Sequence, residues 1–501
     1  MSDSRTTQRR HFATRAKYGV LASVLSIGFA TAAHARDWVD VLSNPLVDPL
    51  LSRPPQLDLG KVLPGDQMAV QCPDGGANLR QLPDQPITLA LTIDIALCNS
   101  PQSRSAWASI KVQAAQVGEA RAAYLPTVNL GMSQLQDKTT YPETQFVVNT
   151  DRRSETQFAT LTWRLLDFGG RDANRRSANA LLESALASHD AVLQKAMLGV
   201  VAAYFDVQTA QAVKNAKDRA QELANKTLQT AQRREARGAG AQSDTLQATT
   251  ALARVELDSS RAMGAYDKAV TSLVLAMGLS PAIAGRQSLT LADDLQGELG
   301  EIGKDLQAWL EIASAQHPAI VAARNQLQSA KEKLTSTRSE GLPALDFTQS
   351  LYINGRPNQG LASSQSEESI IGFNLNFPLF DGFARTYKVR GAQAQVEVKE
   401  AELQDTQNQT LSDVAKAHAD ATSALRSLGA SKKLEASAIN ALESVQRRFE
   451  RGVVDVLELL NVQAALADAQ QERIRALADW RSARLRLVAS AGKLGRAAMG
   501  K

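Results

Sequence analysis

Arg447-Arg448-Phe449-Glu450-Arg451-Gly452-Val453-Val454-Asp455-Val456-Leu457-Glu458-Leu459-Leu460-Asn461 joins two helical patterns. One arrives at Arg451, Gly452 interrupts it, and another leaves through Leu459 and Leu466. Glycine takes up the left-handed backbone that ends a helix without a Cβ penalty. The same design stands earlier, where Arg233-Arg234-Glu235-Ala236-Arg237-Gly238 precedes Asp244-Thr245-Leu246-Gln247 and Leu252. Arg233 and Arg447, Gly238 and Gly452, and Leu252 and Leu466 are each 214 residues apart. Arg171 and Arg385, Tyr266 and Trp480, and Gly278 and Gly492 keep that offset. So many matches at one spacing identify a duplicated chain with two helical hairpins.

Working outward from each hairpin gives the same order twice. In the first copy a helical pattern covers Thr88 to Tyr124, with a break at Asn99-Ser100-Pro101, and Pro126 stops it. Val128, Leu130 and Met132 then alternate with Asn129, Gly131 and Ser133, the period of a strand. Asp137 to Ser154 reads as a polar loop. Ala159, Leu161, Trp163 and Leu165 alternate with Thr160, Thr162 and Arg164 as a second strand. Asp167-Phe168-Gly169-Gly170 turns the chain into a long helix that runs to Arg237. In the second copy a helix over Ile312 to Glu340, with His317-Pro318 inside it, ends at Gly341-Leu342-Pro343. Leu345, Phe347, Leu351 and Ile353 share one strand face, and Asn354 to Ser369 reads as a loop. Ile371, Phe373, Leu375 and Phe377 share the next, and Leu379-Phe380-Asp381-Gly382 leads into the second long helix.

Arg171 to Arg237 and Arg385 to Arg451 are long enough for helices of roughly 100 Å at 1.5 Å per residue. No compact globule needs that length. The returning helices carry a seven-residue pattern. Leu459, Leu466, Trp480 and Leu487 share one position, which Arg473 interrupts, and Val462, Ala469, Ala476 and Ala483 share another. In the first copy Leu252, Tyr266 and Leu273 stand with Ala248, Val255, Ala262, Ala269 and Ala276. Such a repeat predicts coiled-coil packing, and the alanine seam lets helices approach closely.

The bulk properties agree with long helices and exclude other classes. Aromatic residues are 5% of the 501 and charged residues 22%, with a net charge of +4. Basic and acidic residues are interspersed, so no nucleic-acid footprint is present. The N-terminus reads as a secretory signal peptide over residues 1–35, with Arg9, Arg10, Arg15 and Lys17 before an apolar run and Ala33-His34-Ala35 at the cleavage site. A Pro-rich periplasmic arm follows over 36–86, then a first repeat (87–280), a linker (281–303), a second repeat (304–492) and a C-terminal tail (493–501). Cys72 and Cys98, the two cysteines of an exported chain, are expected to form a disulfide. The five histidines are scattered, without metal-ligand spacing, and no nucleophile motif appears, so neither a cofactor nor an enzyme activity is expected.

Four amphipathic strands pose a physical problem. An open sheet edge is forbidden in lipid, and the smallest membrane barrels need about eight strands. One chain therefore leaves a barrel open, and three chains would supply twelve strands. The predicted fold class is an α+β membrane protein: a homotrimeric, 12-stranded outer-membrane β-barrel continued by a long α-helical coiled-coil barrel.

This architecture resembles the TolC outer-membrane factor family from about Thr88 to Gly492. The resemblance rests on the duplicated element order and on Tyr124-Leu125-Pro126, Leu342-Pro343, Phe377-Pro378-Leu379-Phe380-Asp381-Gly382 and the two glycine tips. The arm and its cysteines are more similar to the CyaE-like type I secretion branch than to lipoprotein drug-efflux members. The resemblance implies an outer-membrane channel-tunnel. Its helices would reach across the periplasm to a membrane-fusion adaptor and an inner-membrane transporter, ABC-type or proton-driven.

It also implies site residues. Acids inside the tips constrict the periplasmic entrance in this family. Six residues past each tip glycine, that gives Asp244 and Glu458. Asn461 stands where some members carry a second acid, and Asp455 is the alternative. A trimer makes each a ring of three like charges, although an acid near a helix start also suits the helix dipole. Arg237, Gly238, Arg451, Gly452 and Val453 would meet the adaptor, while the glycines also serve simply to turn the chain. Trp163 is expected at the membrane interface and Phe380 in packing between strands and helices. Type I protein secretion is the leading function. Multidrug efflux is the alternative within the channel class, and a periplasmic coiled-coil scaffold is a reading from another class.

Overall fold

The computed structural model describes residues 86–140, 150–280, 282, 290–292, 303, 305–356 and 366–494. The expected signal peptide, most of the expected arm, Cys72, most of the expected linker and the end of the expected tail lie outside them.

The chain alternates short helices, strands and helical hairpins. The first copy runs α1 (Leu89–Asn99), α2 (Pro101–Ala122), β1 (Thr127–Thr139), β2 (Thr150–Leu166), α3 (Gly170–Ala236) and α4 (Gln242–Ala276). The second runs α5 (Leu306–Gln316), α6 (Pro318–Ser339), β3 (Ala344–Ile353), β4 (Glu367–Asn376), α7 (Ala384–Glu450) and α8 (Val456–Ser490). Helix lengths repeat: α3 and α7 have 67 residues each, and α4 and α8 have 35 each. The short helices have 11 and 22 residues in both copies.

Punctuation residues set these lengths. Pro101 and Pro318 occupy the first turn of α2 and α6, where a missing N–H costs nothing. Both long helices end in a Schellman motif. Gly238 (φ 72°) and Gly452 (φ 73°) are left-handed. Ala239 N donates to Arg234 O and Val453 N to Arg448 O, each at 2.9 Å. These bonds satisfy carbonyls that a helix end would orphan.

The four strands form one antiparallel sheet in the order β1-β2-β3-β4. Within the chain, β1 and β4 are therefore open edges. The first strand pair continues well into the segment expected as a loop: Gln134 pairs with Glu155 and Thr139 with Thr150. A two-strand ribbon needs only main-chain pairing, so it outlasts the apolar alternation. α5 likewise begins at Leu306, ahead of the expected Ile312, because Asp305 Oδ1 caps it by accepting from Ala308 N (3.2 Å).

The helices pack in the expected small-residue manner. Leu459, Ala469, Ala476, Trp480, Ala483 and Leu487 of the α8 seams are buried, as are Ala248, Ala262 and Leu273 of α4. Arg473 is accommodated where it interrupts its seam: its guanidinium reaches Leu428 O (3.4 Å) and Glu435 (3.9 Å) on α7. Midway along α3, Tyr204 is fully buried and its hydroxyl lies 3.2 Å from Ile87 O and 3.1 Å from Ala292 O. This ties the chain before α1 to the returning linker.

Candidate functional site

The sheet has two unlike faces. Val128, Leu130, Met132, Ala159, Leu161, Trp163, Leu345, Phe347, Ile371, Phe373 and Leu375 lie on one, as the register requires. Val128 is opposite Leu161, Trp163 opposite Phe347, and Leu345 opposite Leu375. Seven of these side chains are exposed, Leu130 to 82% and Leu375 to 70%, while Ala159, Leu161, Leu345 and Phe347 are half-buried. The rings of Phe347 and Phe373 touch at 5.3 Å between centroids. An apolar face of this extent is unfavourable in water at about 25 cal/mol per Å² and suits the hydrocarbon core of a membrane.

The other face carries Asn129, Thr160, Thr162, Arg164, Asp346, Thr348, Ser350 and Asn374. Arg164 Nε donates to Asp346 Oδ1 at 2.9 Å, and the Thr160 and Ser350 hydroxyls lie 3.4 Å apart. Along β4, residues of this face are half-buried while their neighbours are exposed, until the pattern ends near Asn374. The polar face is thus the concave one and the apolar face the convex one.

Trp163 sits on the convex face with its Nε1 donating to Tyr124 O at 2.9 Å. One end of the ring is apolar and the other is hydrogen-bonded, as an interfacial tryptophan needs. Phe380 does not pack between strands and helices within the chain. It is 75% exposed and meets Phe383 edge-on at 5.6 Å, because Pro378 turns the chain away from the sheet before the helix begins.

At the sheet–helix junction each copy holds two consecutive left-handed residues: Phe168 (φ 51°) with Gly169 (φ 92°), and Gly382 with Phe383 (both φ 66°). An aspartate precedes each pair. Asp167 Oδ2 accepts from Arg171 N (2.7 Å) and Asp381 Oδ2 from Arg385 N (2.9 Å), capping the long helices. Arg171 then reaches Arg164 O (2.7 Å) and Leu165 O (3.2 Å) and lies over the Tyr124 ring at 4.9 Å. Arg385 reaches Gly341 O at 3.0 Å. In the sequence these arginines appeared only as a repeat match. Their shared position four residues after an aspartate was the available signal.

The hairpin tips meet each other through Ala231, Ala248, Val445, Phe449, Val454, Val456 and Leu459. Arg234 of the first hairpin lies 5.0 Å over the Phe449 ring of the second, and Gln463 Nε2 donates to Thr227 Oγ1 at 2.9 Å. Arg237, Gly238, Arg451, Gly452 and Val453 are all exposed at the tips.

The four expected constriction residues separate by role. Asp455 is the N-cap of α8, its Oδ1 accepting from Glu458 N at 2.9 Å. The Glu458 carboxylate accepts from Arg448 at 3.2 Å. Asn461 is exposed one turn further on. Asp244, in the first turn of α4, is half-buried and has no ion-pair partner among the described residues.

At the second joint, His317 caps α6. Its Nδ1 accepts from Ala319 N at 3.3 Å, where Ser100 Oγ does the same work for α2 by accepting from Ser103 N. Burial pushes the imidazole pKa down, and Asp413 opposes that shift. Among the described residues no group of His, Cys, Asp and Glu is placed to hold a metal ion. No described helix is long and apolar enough to cross a membrane.

A curved, apolar-backed sheet mounted on long helical hairpins defines a channel component of the outer membrane. The chain belongs to the outer membrane efflux protein family, whose model matches residues 92–279 and 309–493, one segment in each copy. It is 35% identical over 448 residues to protein CyaE of Bordetella pertussis, covering 89% of this chain and 91% of that one. It is 25% identical over 418 residues to the alkaline protease secretion protein AprF of Pseudomonas aeruginosa, covering 80% and 84%. The outer membrane channel CmeC of Campylobacter jejuni shares the fold, with a TM-score of 0.69 and 17% identity over 84% of this chain and 92% of that one. The resemblance drawn from the motifs holds, including its CyaE-like branch. The protein resides in the outer membrane with its helical part in the periplasm, and its family is one of channels, not of catalysts.

Proposed function

We propose that three copies of this chain close a 12-stranded barrel in the outer membrane and export protein through it. The observation that carries this reading is the sheet: open at β1 and β4, apolar on its convex face and polar on its concave face. Lipid tolerates no open edge, so each β1 pairs with the β4 of a neighbouring copy. The polar concave face then lines the duct, and the hairpins continue it as a helical tunnel. Two of the relatives are named for protease secretion, which favours type I protein secretion over multidrug efflux.

In this assembly the exposed tips at Arg237–Gly238 and Arg451–Val453 meet a periplasmic membrane-fusion adaptor. The adaptor in turn joins an inner-membrane transporter. Asp244 is the carboxylate left unpaired at the entrance, and it supplies the constricting ring. Glu458, held by Arg448, is a secondary contributor with Asn461, and Asp455 acts as a cap. In this reading a disulfide between Cys72 and Cys98, the chain's two cysteines, ties the arm to α1.

The test is extraction and conductance. The protein should leave membranes only with detergent, migrate as a trimer, and form channels in planar bilayers. Asp244→Ala should raise single-channel conductance more than Glu458→Ala does. A soluble monomer without channel activity would sink the duct and restore the scaffold reading.

A further inference from the structure

One rung of the concave face carries two aromatic rings. Gly131, Phe158, Tyr352 and Glu368 are consecutive register partners across β1, β2, β3 and β4. Their side chains therefore stand at one level, on the same concave side as Thr160 and Ser350. The Phe158 and Tyr352 rings lie 6.4 Å apart, tilted by 36°.

Gly131 explains how an aromatic ring fits there. A Cβ at Gly131 would fall 2.2 Å from the Phe158 ring tip and within 2.8 Å of its two flanking carbons. The ring therefore lies flat across the neighbouring strand and does not project from the wall. Glycine at this site removes the one group that would lift the ring. The rest of the rung is electrically closed. Arg356 Nε donates to Glu368 at 2.8 Å, and the same guanidinium approaches the Tyr352 ring at 5.9 Å. The two charges answer each other, and what the described residues of the rung then offer is π-surface.

We propose that Phe158 and Tyr352 form an aromatic belt inside the duct, which transiently holds apolar and aromatic side chains of an unfolded polypeptide in passage. The proposal rests on the duct reading above. Three copies would place six rings at one level, next to a rung of Asn129, Thr160, Ser350 and Ile370. Rings flat against the wall keep the bore open while offering faces to a passing side chain. A neutral belt does not select by charge. It lengthens the stay of apolar segments at a point past the entrance without forming a deep trap.

The experiment uses the full-length protein in planar bilayers, with two neutral 20-residue peptides as probes. One peptide carries four Phe residues and the other has Ser in their places. For the wild-type channel, the Phe peptide should block current for longer than the Ser peptide. The double variant Phe158→Ser/Tyr352→Ser should shorten that block about ten-fold and leave the Ser peptide unaffected. If that variant fails to assemble, Phe158→Leu/Tyr352→Leu serves with the same readout and a smaller shortening. Gly131→Val should lift the ring and lower the conductance of the empty pore. Equal residence of the Phe peptide in wild-type and variant channels would overturn the belt alone. A wild-type protein that forms no channel would overturn the duct reading, and the belt with it.

Discussion

The two halves of the chain share a plan and differ in its fittings. Both have helices of 67 and 35 residues joined at a left-handed glycine, and both reach them through an aspartate-capped turn. Yet α8 has a side-chain cap in Asp455, whereas the equivalent Ala241 gives α4 none. The first strand pair has 13 and 17 residues, and the second has 10 and 10. One joint is capped by Ser100 and the other by His317. What is shared is punctuation, which fixes lengths and turns. What differs is side-chain chemistry at places where a duplicated wall meets unequal tasks.

The sharpest way to break the shared plan is at the glycines that end α4 and α8. Gly278 (φ 71°) and Gly492 (φ 75°) are left-handed and crowded. A Cβ would lie 2.9 Å from Asn99 Cβ at the first and 3.0 Å from His317 Cα at the second. Gly278→Ala and Gly492→Ala should each cost about 1–3 kcal/mol, read as a lowered melting temperature of the detergent-solubilised protein. A loss confined to one site would show that the copies are not held alike.

Exchanging the tip caps has a smaller effect and tests the difference directly. Asp455→Ala should destabilise the second hairpin by about 1 kcal/mol, and Ala241→Asp should stabilise the first by a similar amount. Hydrogen exchange of the tip amides is the measurement. Equal protection in all three proteins would remove the cap from the account.

The smallest expected effect depends on pH. Burial lowers the folded-state pKa of His317 below its ordinary value of 6.5. The folded state therefore resists a proton that the unfolded state accepts. The stabilisation is complete above pH 6.5 and is lost as pH falls below it toward the lowered value. Protonation also removes the Nδ1 acceptor that caps α6. Melting at pH 7.5 and 5.5 should show a larger acid loss for the wild type than for His317→Ser, which copies Ser100. Parallel losses would exclude the histidine.

Much of the architecture was legible because it depends on residues that act locally. Pro101, Pro318, Gly238 and Gly452 carry their conformational consequence in any context. The strand faces were legible from alternation, since a period of two needs no partner. Contacts across elements were not. Arg171 has the same formula whether it faces solvent or clamps the carbonyls of Ala123, Arg164 and Leu165. Asp455 stood as an alternative to Glu458 because its cap bond depends on where α8 begins. Phe158 was invisible as a lining residue, because only the register with β1 and β3 sets it over Gly131 and beside Tyr352.

The paired left-handed residues at the sheet–helix junctions have a mechanical consequence. A helix of 67 residues is a rod of about 100 Å, hinged at one end. A change of about 5° at that elbow would sweep the far tip by roughly 9 Å, enough to pull apart the apolar cluster through which the two hairpins meet. An aspartate, an arginine and a strained pair of residues at each elbow suppress that rotation. The wall behaves as a set of rods held along their packed seams, and each elbow adds a clamp at the far end from the tips.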